Sequence, residues 1–360
     1  MAEEELPPKP EGPLRSGWTT GACAAAAAAA AAQAWAAGDF PAEISIRLPQ
    51  GQTPVFAVAH RARGADWIEA GVVKDAGDDP DVTHGAMIVS RLTPSSSGLR
   101  FEAGEGVGTV TRPGLALPPG EPAINPAPRK LIADSLAAIA DRFGGPRDWI
   151  VRVSIPGGAE LAKKTLNARL GIVGGLSVLG TTGIVTPYSC AAWIHSIHRG
   201  IDVARAAGLG HVAASTGSVS ESFVKRHYAL PEAALIDMGD FAGGTLKYLR
   251  DHPIPRVTLA GGFAKLAKLA CGAMDLHSSR SRVDNAALAA MLRDLGAPAE
   301  LPDDASAGAY LLEASRAGVA LADAVAARAR AVARETLGTD IMLDVLVVDR
   351  AGVCVGRAGP

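Results

Sequence analysis

Ten of the eleven residues at positions 22–32 are alanine, with Cys23 the exception. Alanine has the highest helix propensity of any residue, because it loses no side-chain entropy and buries no polar group. The run therefore reads as a buried or half-buried helix. Thr19 or Thr20 is placed to cap it, accepting a hydrogen bond from an amide of the first turn. Alanine is a weak membrane anchor, and Gln33 and Gly38 cut the segment short of a spanning length.

A chain of 360 residues is long for one hydrophobic core, so two domains are expected. With 48% hydrophobic and 20% charged residues, it has the composition of a soluble globular protein. A net charge of −2 and only 4% aromatic residues argue against a nucleic-acid partner held by a basic field or by base stacking. An anionic ligand would have to be gripped by local arginines and lysines. Cys23, Cys190, Cys271 and Cys354 lie far apart with no CxxC pair, which suggests reduced cytosolic thiols and neither a zinc knuckle nor a disulfide framework. The start, acidic and then proline-rich, is the reverse of a signal peptide. Residues 1–13 read as a disordered tail, and the expected location is the cytoplasm.

The remainder divides by texture into an α+β domain over 14–185 and an α/β domain over 186–360. In the first, short β-like runs at 43–48, 55–60, 67–73, 86–91 and 98–103 precede a helix at 129–143 and a strand at 149–155. In the second, runs at 211–214, 234–237 and 256–260 alternate with helical patterns at 221–227, 241–250 and 263–274. That alternation predicts βαβ units and a mainly parallel sheet. Two more helices fit 285–295 and 320–335, and a hairpin turned at Arg350-Ala351-Gly352 closes the chain.

Residues 74–85 (KDAGDDPDVTHG) carry the densest chemistry. Four carboxylates, a lysine and a histidine leave the end of a predicted strand in a loop punctuated by Gly77, Pro80 and Gly85. Crowded carboxylates raise one another's pKa unless a cation or hydrogen-bond donor sits among them. A solvated acidic turn would read the same way, since Asp, Gly and Pro are ordinary turn residues. Asp75, Asp78, Asp79 and His84 are the candidate catalytic groups.

The glycine-dense stretch 163–185 contains Gly180-Thr181-Thr182-Gly183, whose backbone and hydroxyls are suited to close approach by a ligand. It matches neither the dinucleotide nor the phosphate-loop fingerprint, and tight packing at a crossing of chain segments would use the same glycines. Ser215-Thr216-Gly217 and Gly261-Gly262 each follow a predicted strand and open a helix, where ligands of open parallel sheets sit. These two loops and 180–183 are the candidate cofactor-binding segments. Lys265 and Lys268, three apart, share a helix face and could hold acidic groups or simply be solvated. His277-Ser278-Ser279-Arg280 with Asp284 is a compact polar set lacking the G-x-S-x-G elbow of a hydrolase. His195 and His198 read as structural, with no third metal ligand at suitable spacing.

These segments resemble one family closely, the cobalt-precorrin-5B carbon-1 methyltransferases of the anaerobic cobalamin pathway. The resemblance rests on 15–23, the acidic loop, 104–115 (GEGVGTVTRPGL), 121–129 (EPAINPAPR), 162–185 and 261–272. Trp18, Ala264 and Leu276 stand where the family pattern leads one to expect tyrosine, glycine and threonine. The resemblance implies methylation of carbon 1 of a cobalt corrinoid by S-adenosylmethionine, with cobalt only as part of the substrate and no resident metal. It also implies a two-domain fold, α+β followed by a Rossmann-like three-layer α/β domain. The corrinoid's carboxylate arms would suit Arg112, Arg129, Lys163, Lys164, Arg169, Lys265, Lys268 and His277. A cationic donor would suit the aspartates, and His84 or an aspartate could take a proton. The expected partner is this small molecule, with no nucleic acid and no membrane, and a homo-oligomer is left open. A non-catalytic corrinoid carrier and a nucleotide-using enzyme are the rival readings.

Overall fold

The computed structural model describes residues 12–302, 304–338 and 341–360. The expected tail falls almost wholly outside the described residues. The chain is mixed α/β with several sheets and divides after Ser189 into two compact units. No helix of the described residues is long and apolar enough to cross a membrane.

The first unit is built on the alanine helix. Strand β1 (Gly17–Trp18) leads into α1 (Thr20–Ala37), capped by Thr19, whose hydroxyl accepts the Ala22 amide at 3.1 Å. Every alanine from Ala22 to Ala32 is buried, as is Cys23, so the helix is surrounded rather than amphipathic. Methyl side chains let α2 (Pro126–Phe143) pack close on one side and two sheet strands on the other. Burial pushes the Cys23 thiol up to about 12, which makes it an inert core residue.

Strands β2 (Glu43–Ser45) and β3 (Val55–Ala57) form a separate antiparallel pair. The main sheet comprises β4 (His60–Arg63), β5 (Ile68–Val73), β6 (Met87–Pro94), β7 (Arg100–Ala103) and, after β8 (Thr109–Val110), β9 (Trp149–Ser154), in the order β4-β5-β6-β9-β7. Only β7 and β9 run parallel. The run expected at 55–60 thus belongs to two sheets: Val55–Ala57 pairs with β2, whereas His60 pairs with Gly71 of β5. A short helix, α3 (Gly158–Ala162), and two two-residue strands complete the unit. Of these, β10 (Ile172–Val173) pairs with β8, and β11 (Ile184–Val185) with β1.

The second unit opens with α4 (Cys190–Ala206), then β12 (His211–Ser215), α5 (Ser218–His227), β13 (Leu235–Asp237), α6 (Ala242–Asp251), β14 (Arg256–Gly261) and α7 (Phe263–Ala270). Helices α8 (Asn285–Asp294), α9 (Ala307–Arg316) and α10 (Leu321–Leu337) precede the hairpin β15 (Met342–Val348) and β16 (Cys354–Ala358). The sheet order is β13-β12-β14-β15-β16, with the first four strands parallel and β16 antiparallel. The expected alternation is present. Helix α7 stops at Ala270, short of the expected 274, because Gly272 takes a φ of +92°. Helices α4 and α9 were not expected, although Ile197 and Ile201 of α4 recur at helical spacing on its buried side.

Candidate functional site

The acidic loop joins adjacent antiparallel strands β5 and β6, and backbone bonds close its neck, from Lys74 to Ala86 and from Gly85 back to Lys74. Within it the charges are paired in a definite scheme. Lys74 is buried, at 3% exposure, and its ammonium donates to Asp81 and to the Thr83 hydroxyl, both at 2.5 Å. Thr83 donates in turn to the other Asp81 oxygen through its amide and its hydroxyl. Burial alone would raise the Asp81 pKa, but the Lys74 ammonium outweighs it and holds the carboxyl below its usual range.

Asp75 is held from outside the loop. Arg15 donates to its two oxygens at 2.5 and 2.8 Å, and the Gly77 amide donates at 2.9 Å. The Arg15 bonds are the main reason its pKa falls to about 2. The Arg15 backbone pairs reciprocally with Asp78, whose carboxylate accepts the Arg15 amide at 2.6 Å. Gly17 and Gly77 make this approach possible, since a Cβ on either would overlap backbone of the opposing segment. Mutual repulsion of four unpaired carboxylates, the expectation from sequence, is therefore corrected for Asp75 and Asp81. Cations and amides more than offset it there.

Asp79 differs from its neighbours. It is half-buried, it accepts the Tyr188 amide at 2.8 Å, and burial raises its pKa. Tyr188 is one of two described non-glycine residues with positive φ, at 55°. His84 is exposed, and its Nδ1 accepts the Ala76 amide at 3.1 Å.

A Cβ on Gly180 would strike Thr19, the cap of α1, and one on Gly183 would strike Leu48, between β2 and β3. Thr19 and Gly21 donate backbone bonds to Gly183 and Leu179, and the Thr182 hydroxyl closes a local turn on Ile184. Thr181 lies in the same turn, exposed. Arg129 directs its guanidinium at the Ile124 and Pro122 carbonyls and at Glu121, pinning the segment before α2. Arg112 donates to the Arg169 carbonyl at 3.2 Å across Gly171. Lys163 is paired with Glu160, and Lys164 and Arg169 also have partners.

In the second unit, the expected strand-end loops lie side by side. Thr216 donates to the Ala260 carbonyl at 2.9 Å, and a Cβ on Gly261 would meet the Thr216 side chain. Gly217 and Gly262 have open space where a Cβ would stand. The Ser215 hydroxyl is buried without a hydrogen-bond partner among the described residues. Lys265 pairs with Asp240 and reaches the Leu276 carbonyl at 3.3 Å, and Lys268 donates to the same carbonyl at 2.8 Å. The solvated lysine face considered from sequence is thus corrected for Lys268, which is 6% exposed. Burial, and then the neighbouring Lys265, lower its pKa. Both lysines fasten the turn that carries His277, whose Nδ1 accepts the Ser279 amide.

Sequence reasoning missed Arg15, Lys74 as a buried pair, and Asp240. Arg15 and Asp240 are remote in sequence from the groups they hold, and no local spacing marks them. The signal for Lys74 was a lone cation heading four acids.

The family model described as CbiD matches residues 8–187, and the model for the CbiD C-terminal domain matches residues 275–359. The Cobalt-precorrin-5B C(1)-methyltransferase of Paramagnetospirillum magneticum is 59% identical over 99% of this chain and 100% of its own length. The chain belongs to the CbiD family. The protein of the same name from Brucella anthropi is 54% identical over 96% of this chain and 95% of its own, and that from Bradyrhizobium sp. 59% over 96% and 94%. A crystal structure of the cobalamin biosynthesis protein (cbiD) from Archaeoglobus fulgidus matches at 26% identity and a TM-score of 0.41, covering 75% of this chain and 84% of that one. The three positions at which the sequence led to the expectation of another residue have clear settings. Trp18 packs edge-on against Phe56, Ala264 lies in the first turn of α7, and Leu276 supplies the carbonyl that both lysines hold.

Proposed function

We propose that this CbiD-family protein is an enzyme that transfers a methyl group from S-adenosylmethionine to carbon 1 of cobalt-precorrin-5B, giving cobalt-precorrin-6A. The observation that carries this is 54–59% identity to proteins named for that reaction, over nearly the full length of both chains. We also read the second unit as a Rossmann-like three-layer domain, on its parallel β13-β12-β14-β15 order and the helices between those strands.

The donor, when bound, supplies a methyl group already activated on a sulfonium. What remains for the protein is to align it with a nucleophilic ring carbon and to exclude water. The acidic loop fits a cation. Asp75, Asp78, Asp79 and Asp81, set against Arg15 and Lys74, leave two negative charges in excess on a loop held both by its own Lys74–Asp81 pair and by Arg15. Asp75, Asp78 and Asp81 hold the loop's shape, and Asp79 and His84 are the groups with capacity left over. Open backbone at Gly217 and Gly262, beside Ser215, Thr216 and Gly261, offers a second surface for close approach at the strand ends. In the first unit Arg112, Arg169, Lys163 and Lys164 are proposed grips for corrinoid carboxylates, with Arg129 positioning the segment before α2; in the second, His277 is the proposed grip, with Lys265 and Lys268 positioning its turn.

The test is direct. Purified protein, labelled S-adenosylmethionine and cobalt-precorrin-5B are incubated anaerobically, and the product is resolved by mass. One added methyl at carbon 1 supports the reading. Binding of the corrinoid without methylation would favour a carrier, and turnover dependent on ATP a nucleotide-using enzyme.

A further inference from the structure

His84 is locked in one tautomer. A backbone amide can only donate, so the Ala76 N–H that meets Nδ1 at 3.1 Å makes that nitrogen the acceptor. In the neutral ring the proton then resides on Nε2. The nearest carboxylate, Asp75, is 3.9 Å from Nδ1, beyond hydrogen-bond range, so the Ala76 amide is the partner of that nitrogen. Nε2 has no protein partner among the described residues, and the side chain is 54% exposed. The fixed Nε2–H is thus presented outward from a loop whose every other polar side chain faces a partner within the protein or carries negative charge.

That negative charge selects what the N–H can meet. With two carboxylates in excess, the loop repels an anionic arm of the corrinoid and attracts a sulfonium. An uncharged oxygen or ring nitrogen on the cationic molecule, such as a hydroxyl or purine nitrogen of its nucleoside, is the acceptor that satisfies both conditions. We propose that His84 binds the methyl donor as a hydrogen-bond donor through Nε2, and does not act as a general base. This rests on the reading of the acidic loop as the methyl donor's side of the site.

Two substitutions separate the roles of the two ring nitrogens. In His84→Asn the amide oxygen overlays Nδ1 and keeps the Ala76 bond, but nothing reaches the Nε2 position. In His84→Gln the longer side chain returns an N–H at Nε2 and loses the Ala76 bond. The measurements are melting temperature, KM for S-adenosylmethionine and for the corrinoid, and kcat against pH. The expected result is that His84→Asn melts like the native protein and raises KM for S-adenosylmethionine alone, by about threefold to tenfold for one hydrogen bond. His84→Gln melts lower and keeps that KM within about twofold, the loss of an Nε2 bond being the only term that should move it. The opposite order, with His84→Gln impaired and His84→Asn native in kinetics, would make His84 a structural clamp and overturn the proposal. Equal losses of kcat in both variants, with the acid limb of the native pH profile abolished, would restore the base. Native kinetics in both would show that His84 does not meet the donor and overturn the proposal, and the turnover of Asp79→Asn then decides whether the reading of the acidic loop fails with it.

Discussion

Arg15 grips Asp75 with both terminal guanidinium nitrogens, at 2.5 and 2.8 Å, across 60 residues of sequence. The pair fixes more than two side chains. It fastens the segment that leads into the alanine helix onto the acidic loop, with Gly17 lying against Ala76 and the Trp18 amide donating to the Asp75 carbonyl at 2.7 Å. The loop's shape is consequently set by residues outside it.

The Arg15–Asp75 pair should be visible in acid. The Asp75 pKa is depressed from 3.8 to about 2, so the stability it contributes is present above 3.8 and is lost as pH falls through that window. Both side chains are substantially exposed, so solvent screening keeps the contribution small. Denaturant unfolding of native protein and Arg15→Met between pH 2 and pH 5, about the Asp titration range, should show a shallower acid decline in the variant. Identical slopes would mean that the pair is silent in solution.

Asp79 has the opposite sign. Its raised pKa means that its charge costs stability as pH rises past the ordinary carboxylate range, and Asn at this position can still accept the Tyr188 amide. Asp79→Asn should therefore melt at the native temperature or slightly above it. If the loop meets a cationic donor, turnover should fall at least about tenfold, equivalent to ~1.4 kcal/mol. Asp78→Asn keeps an acceptor for the Arg15 amide and should behave similarly, with a smaller kinetic loss. Melting temperature and turnover unchanged in both variants would identify an acidic surface turn. Loss of both quantities together would identify a structural turn.

What was legible in the sequence follows from the range of the interactions involved. The alanine helix, its Thr19 cap and the βαβ alternation of the second unit are local patterns, and each is present where expected. The split of the run at 55–60 was not legible, because Phe56 and His60 both suit a strand and only their partners differ. Gly180 and Gly183 illustrate a second limit. Glycine permits close approach without specifying of what, and here the approach is by Thr19 and Leu48. The acidic loop was found from its charge density, but the scheme of its charges depends on Arg15 and on the burial of Lys74, which sequence does not display.

Lys268 should prove replaceable for folding and not for function. Its ammonium is buried, opposite one carbonyl and near a second ammonium, so its charge carries a desolvation cost with no carboxylate of the described residues bonded to it. Lys268→Met removes that cost at similar volume, and such exchanges of buried charge are often neutral or stabilising. The Leu276 carbonyl keeps only Lys265, at 3.3 Å, and the His277 turn loosens. The expected outcome is a melting temperature equal to or above native, with a raised KM for the corrinoid. A fall in melting temperature with KM unchanged would give Lys268 a purely structural role.

The contact between Gly17 and the acidic loop yields the sharpest steric test. A Cβ on Gly17 would overlap the Ala76 carbonyl carbon and the Gly77 nitrogen, both backbone atoms that cannot swing aside. Gly17→Ala must therefore push strand β1 and the loop apart, at a cost of about 1–3 kcal/mol or more. Gly85, in the same loop, serves as the control. Its φ is +78°, but nothing lies within 4 Å of the Cβ position, so Gly85→Ala pays only for left-handed backbone, about 1–2 kcal/mol. Comparable losses of stability with different losses of turnover would locate function in the loop's placement against Gly17 rather than in its internal fold. If the two variants lose turnover equally at equal stability, the register between β1 and the loop has no special part in the reaction.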